Sequence, residues 1–260
     1  MPLDTTLYPL SHLRLDGRRW NELRHLTAQI STQRSSSGSS HLCQGNTEIL
    51  CTVSGPLETK RLGRSEQSSR ATLSVSISVA PFASTDRKRT SRTDKRTTEL
   101  QHLIEETFGE VAFLHLYPHS SVQVTLHVLS SDGGLVAALI NATTLALIDA
   151  GVPMPDYVVA CTAGSAASYA ANDEGAGPLL DLNAAEEVEL PFVTVATVGG
   201  GEGTGEARVV AVLGETRVQG GRLEGMVAVG VDGCREVRGV LDGVVRAFGE
   251  GTVRRGRGGG

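Results

Sequence analysis

The sequence predicts an α+β (mixed α/β) fold, and three observations carry that expectation. Strand-like segments come in runs. The sharpest has Leu73, Val75, Ile77 and Val79 alternating with Ser74, Ser76 and Ser78, the period of a half-buried strand. Other segments place apolar residues at helical steps: Leu100, Leu103, Ile104, Phe108 and Val111 in one, and Leu223, Val227, Cys234, Val237, Leu241, Val244 and Phe248 in another. Between them an alternating segment at 122–128 runs into Asp132-Gly133-Gly134 and leaves as a helical pattern ending at Gly151, just ahead of Pro153. Strands in runs, broken by a few helices, fit one or two sheets with helices packed on them.

Taken in order, a charged segment from Leu13 leads to a first strand at about 26–32. A Ser/Gly-rich turn, a strand near 41–43, a turn at Gly45-Asn46 and a strand at 49–53 ended by Gly55-Pro56 complete a β-meander. Residues 60–70 are polar, basic and without periodicity, hence a loop. The serine-alternating strand follows, and a second basic segment, Arg87-Lys88-Arg89 through Arg92, Lys95 and Arg96, opens the first helix. Beyond Gly151 come a strand at 157–161, an irregular Ala/Ser/Gly stretch at 164–177, and strands at 193–198 and 209–213 around a glycine-rich surface hairpin loop. The closing helix holds Gly225, Gly230, Gly233, Gly239 and Gly243, each costing about 0.5–1 kcal/mol relative to alanine, so it depends on packing against a sheet. A disordered Arg/Gly tail is expected over 249–260, and a tail also over 1–12.

With 24 Lys and Arg against 29 Asp and Glu, the net charge of −5 excludes a global positive field, so any polyanion binding must use a local patch. The four cysteines show no CxxC pair and no zinc-type His/Cys spacing, which points to reduced structural thiols and no metal. Residues 1–10 lack the basic-then-apolar pattern of a secretory signal. The most apolar run, 135–152, is broken by Asn141, Thr143, Thr144 and Asp149 and reads as a buried helix rather than a membrane span. An intracellular protein without membrane contact is the expectation.

Strand, glycine turn and helix together offer the geometry of an anion site, with backbone amides and the positive helix end facing a ligand. Yet the residues after the glycines, where a phosphate wants a hydroxyl and a cation, are Leu135 and Val136. No GxxxxGK[ST] loop is present, which disfavours a small-molecule phosphotransferase.

Several segments occur together in order: Arg14-Leu15-Asp16-Gly17-Arg18-Arg19 with Glu22 and Arg24; Gly45-Asn46-Thr47 leading to Gly55-Pro56; Ala80-Pro81-Phe82; Asp132-Gly133-Gly134 with Asn141-Ala142; and the stretch from Ala146 to Pro153. In this combination the chain resembles the RNase PH family, and within it the core ring subunits of the exosome, over 13–248. The resemblance implies two similar β-rich halves with flanking helices, and assembly with other RNase PH-type subunits in a six-membered ring around an RNA channel. It further implies RNA-binding cap subunits, an associated hydrolytic exoribonuclease and single-stranded RNA as partners, in the nucleus, nucleolus and cytoplasm.

RNA-degrading members of that family use inorganic phosphate against the 3′-terminal phosphodiester, held by a Ser or Thr and an Arg directly after the glycine. Gly133, Gly134, Leu135 and Val136 therefore resemble a degenerate phosphate site, because valine cannot replace a charge-assisted arginine contact. The family also places two acidic residues near a Leu-Asp segment as acid and metal-binding groups. Here one register, on Leu180-Asp181, puts Glu187 and Val193 at those positions, and the other, on Pro191-Phe192, puts Asn183 and Glu189 there. Neither preserves the pair, so Asn183, Glu187 and Glu189 read as a degenerate acidic site with no catalytic residue, no metal and no cofactor. Glu186 and Glu187 read as solvated loop acids, and Asp132 and Asp149 as structural groups near the helix ends, Asp149 calling for a specific partner. By the same resemblance Lys60, Arg61, Arg64, Arg87, Lys88, Lys95 and Arg96 line the RNA path, through sequence-independent backbone contacts. The implied function is a non-catalytic ring subunit threading RNA 3′ ends to a separate nuclease; the alternative is an active phosphate-dependent 3′–5′ exoribonuclease with Glu187 or Glu189 as acid.

Overall fold

A computed structural model describes residues 13–58, 70–84, 87, 94–166, 177–200, 207–218 and 220–257. The first sheet contains β1 (Leu26–Ile30), β2 (Gly38–Gln44), β3 (Thr47–Glu58), β4 (Thr72–Val79) and β5 (Ser120–Ser130), in the order β1-β2-β3-β5-β4. The meander is antiparallel, and β4 joins the far edge parallel to β5, with Val75 opposite Val124. Between these two strands runs α1 (Lys95–Val111), which buries Leu100, Ile104, Phe108 and Val111 beside β4. The second sheet is antiparallel, in the order β7-β6-β8-β9, from β6 (Val158–Ser165), β7 (Pro178–Leu180), β8 (Phe192–Val198) and β9 (Arg208–Gly214).

The helix α2 (Leu135–Asp149) lies between the two sheets, against β2 and β3 on one side and β6 and β8 on the other. Every residue from Val136 to Leu147 is buried, because sheets cover both of its sides. Polar groups inside that layer are matched. The Asn141 side chain donates to the Ala160 carbonyl at 2.9 Å and accepts from the Ala160 amide at 2.9 Å, tying α2 to β6. Ser40 Oγ donates to the Ala142 carbonyl at 2.6 Å, tying it to β2. Asp149, at the electrostatically unfavourable helix end, accepts from the Ser39 amide at 2.8 Å, the partner its position required.

The closing helix α4 (Gly220–Arg257) packs on β6, β7, β8 and β1. Its buried seam runs through Met226, Gly230, Gly233, Cys234, Val237 and Leu241, whereas the expected end residues Leu223 and Phe248 are each 38% exposed. The glycines divide into two kinds. A methyl group at Gly230 would stand 2.9 Å from Val195 Cγ2, and one at Gly233 would stand 3.0 Å from Cys161 Sγ, so close helix–sheet approach requires them. Gly225, Gly239 and Gly243 face open space.

Three expectations are corrected. The tail is not disordered from residue 249: α4 continues to Arg257, with Glu250 and Arg254 one turn apart at 3.8 Å, since an established helix adds residues at little cost. Strand β3 does not stop at Gly55-Pro56 but bulges there and continues pairing with β5. The stretch 178–190, to which the sequence pattern assigned no element, contains β7 and a helix, α3 (Ala184–Glu189). Among the described residues no helix is long and apolar enough to cross a membrane.

Candidate functional site

The site grows from the turn between β5 and α2. Gly133 and Gly134 take φ of 76° and 63°, a left-handed pair that side-chain-bearing residues resist. Space makes the same demand. A Cβ on Gly133 would meet the Asn183 carbonyl carbon at 2.6 Å, and one on Gly134 would collide with the Arg24 guanidinium. The turn is held from three directions. Thr47 donates to the Gly133 carbonyl at 2.7 Å and accepts from the Asp132 amide at 3.0 Å. Asn46 donates to Asp132 Oδ2 at 2.8 Å, and Arg24 Nη1 and Nη2 donate to the Asp132 and Gly133 carbonyls. Asp132 Oδ1 lies 3.4 Å from the Ala184 amide at the start of α3. Its structural reading holds.

Behind the turn sits a buried ion pair. Asp181 is fully buried and accepts from the Arg24 amide at 2.8 Å, from Arg24 Nη2 at 2.7 Å and Nε at 3.1 Å, and from Gln44 Nε2 at 2.9 Å. Burial alone pushes this carboxyl up; the Arg24 charge and the hydrogen bonds from Arg24 and Gln44 outweigh it and hold the group below the ordinary aspartate range. Likewise, burial pushes the Arg24 guanidinium down and Asp181 more than restores it. A second buried pair, Arg14 with Glu186, lies alongside, and Arg14 also donates to the Leu180 and Asp181 carbonyls. These arginines were visible in the sequence as parts of a motif. That they serve as buried ties between the amino-terminal segment and residues 180–187 was not.

The acids after Asp181 are not solvated loop residues, and that expectation is overturned. Asn183 caps α3: its Oδ1 accepts from the Glu186 amide at 2.9 Å while Glu186 Oε2 accepts from the Asn183 amide at 3.1 Å, a reciprocal capping box. Glu186 is buried against Arg14, and Glu189 is half-buried at the last residue of α3. Glu187 turns toward the glycines, where its Oε1 accepts from the Gly134 amide at 2.7 Å. A carboxylate thus sits at the positive end of α2, beside first-turn amides that have no intrahelical acceptor. Burial is the largest influence on Glu187 and, with Glu215 adding to it, raises its pKa above the usual glutamate value, despite the Gly134 bond and Arg24 pulling it down.

The remaining candidates divide. Lys60, Arg61, Arg64 and Lys88 lie outside the described residues. Arg87 is exposed with φ of 47°. Lys95 and Arg96 form the start of α1, where the helix dipole disfavours cations. Arg96 pairs with Glu215 at 3.0 Å, and both charges act on Glu187, so the start of α1, the end of β9 and α3 share one neighbourhood. Leu135 is half-buried and Val136 buried. Neither offers a donor side chain, and the nearby Arg24 is committed to Asp181 and two carbonyls. Of the positions implied for a bound metal, Asn183 is taken up as the cap of α3 and Glu187 Oε1 accepts from the Gly134 amide.

Residues 22–153 match the RNase PH family, described as the 3′ exoribonuclease family, domain 1. The chain is 36% identical over 242 residues to the exosome complex component SKI6 of Saccharomyces cerevisiae, covering 92% of this chain and 93% of that protein. It is 33% identical over 234 residues to the exosome complex component RRP41 of Homo sapiens, covering 90% of each. The crystal structure of rice (Oryza sativa) Rrp46 superposes with a TM-score of 0.74 at 23% identity, covering 88% of this chain and 98% of that one, a likeness of fold.

Proposed function

The chain belongs to the RNase PH family of 3′ exoribonucleases, and from that premise we propose that it is a ring subunit of an exosome whose own phosphorolytic site is lost. The observation that carries the loss is Glu187. Its carboxylate takes the Gly134 amide at the positive end of α2, where a phosphate would have to bind, and Leu135 and Val136 supply no cation beside it. An incoming phosphate would meet an anion already in place, and like charges at hydrogen-bond range oppose each other.

What remains is RNA handling. Lys95 and Arg96 start α1 although the helix dipole opposes them, Arg87 is exposed, and Phe82 presents a ring 68% exposed five residues before Arg87. Exposed cations with an aromatic platform suit single-stranded nucleic acid, whose phosphates and base faces they engage without reading sequence. In this reading the other ring subunits complete the channel. RNA-binding cap subunits feed it, a hydrolytic exoribonuclease receives the 3′ end, and the assembly works in the nucleus, nucleolus and cytoplasm. Relatives named as exosome components over nine-tenths of the chain support the assembly.

The test is a ring reconstituted with its neighbouring subunits and incubated with RNA and inorganic phosphate. No nucleoside diphosphate is expected. Phosphate-dependent release that disappears on Glu187→Gln would instead establish the alternative, an active phosphorolytic subunit. One observation favours that alternative: burial shifts the Glu187 pKa upward beside an anion-binding turn, the direction in which a general acid is tuned.

A further inference from the structure

The β2–β3 hairpin works on two faces. Pairing is tight, with Gln44 opposite Thr47 across a two-residue turn, so alternation fixes which side chains share a side. Leu42, Gln44, Thr47 and Ile49 are buried, and two of them reach the glycine turn and Asp181. His41, Cys43 and Glu48 occupy the opposite face, all half-buried, with Cys43 directly across from Glu48 and His41 two residues along the same strand. Their donor atoms converge: His41 Nε2 lies 2.7 Å from Glu48 Oε1 and 3.9 Å from Cys43 Sγ, and all three fall within 4.8 Å of one another.

We propose that His41 Nε2, Cys43 Sγ and the Glu48 carboxylate form a binding site for one divalent transition-metal ion of the zinc class. Bonds of about 2.0–2.3 Å from a tetrahedral ion leave its ligand atoms about 3.5 Å apart, a value bracketed by the 2.7 and 3.9 Å spacings here, so rotamer adjustments can bring the three ligands onto one ion. A thiolate and an imidazole exclude magnesium and calcium, which take oxygen donors, and select the softer zinc-like ions. On coordination the Cys43 thiol releases its proton to solvent. The hydrogen bond between His41 and Glu48 is exchanged for two metal bonds, and a water completes the fourth vertex. The two-residue turn and the neighbouring strand β1 hold the three ligands in register before the ion arrives, which lowers the ordering cost of binding.

The site is distinct from the glycine turn, and its test does not depend on RNA or on the ring. The full chain, freed of any affinity tag, is titrated with Co(II) and then with Zn(II). One equivalent of Co(II) should bind with tetrahedral visible bands and a thiolate-to-cobalt charge-transfer band, which Zn(II) displaces. Cys43→Ser should abolish the charge-transfer band, and Cys43→Ser and His41→Ala should each weaken Zn(II) binding at least about tenfold. In the unmodified chain Zn(II) should also shield Cys43 from a thiol reagent, a readout needing no variant. An octahedral spectrum without charge transfer, unchanged Zn(II) affinity in Cys43→Ser, or an unshielded Cys43 overturns the proposal.

Discussion

Replacing Asp181 by asparagine tests the account of the buried tie behind the glycine turn. The change is nearly isosteric, so packing is preserved while the charge and one hydrogen-bond acceptor are removed. Asp181 is fully buried and the Arg24 side chain 6% exposed, which leaves a guanidinium in the interior without the carboxylate it is hydrogen-bonded to, Glu187 and Asp132 acting on it only through their charge. One carboxylate oxygen that accepts three of the four hydrogen bonds must stay a carbonyl, and the other becomes an amide donor facing the Arg24 amide. Breaking a buried pair from one side costs about 3–5 kcal/mol. Urea unfolding followed by circular dichroism should therefore show a lower midpoint at an unchanged slope. The pH dependence supplies a second check. The Asp181 pKa is lowered in the folded protein, so its contribution is complete above the ordinary aspartate value of 3.8 and fades as pH falls below it toward the folded value. The gap between wild type and variant should accordingly narrow on acidification through that window. A loss under about 1 kcal/mol at neutral pH, or a gap that widens in acid, would refute the reasoning.

The glycines of α4 should separate by face. Gly239→Ala is expected to stabilise by about 0.5–1 kcal/mol because its Cβ enters open space, while Gly233→Ala should destabilise because its Cβ meets Leu180 and Cys161; thermal unfolding of the two reads the sign directly. Glu187→Gln keeps an acceptor for the Gly134 amide but removes a charge whose folded-state pKa is raised from 4.5. Wild-type stability from this group is present below 4.5 and lost as pH rises through the folded value, so melting temperatures should favour the variant increasingly from acid to neutral pH. Arg96→Ala removes an exposed pair with Glu215 and should change stability by less than about 1 kcal/mol, yet in a reconstituted ring it should weaken RNA binding and lower the salt slope by about one.

Much of the architecture was legible because local pattern and tertiary role agree. Serine alternation in β4 survives as a half-buried strand, and the apolar face of α1 is the face it buries. The misses share a cause. Three residues of β7 and six of α3 are too short to show a period, and their positions depend on Arg14, Arg18 and Arg24 more than 150 residues away in sequence. Sequence separation also hid the role of Glu187, whose partner Gly134 lies 53 residues away. Two adjacent glutamates in a polar stretch look alike in sequence, and only the capping box of α3 sends one to Arg14 and the other to Gly134.

By itself the sequence determined the fold class, the glycine turn and the absence of a cation after it, since these follow from residue type, period and adjacency. The tertiary structure decided what occupies the turn, because a carboxylate 53 residues away in sequence reaches the Gly134 amide only once β7 and α3 have folded against it. It also decided that His41, Cys43 and Glu48 share one point in space, because two of them meet only through the pairing of β2 with β3.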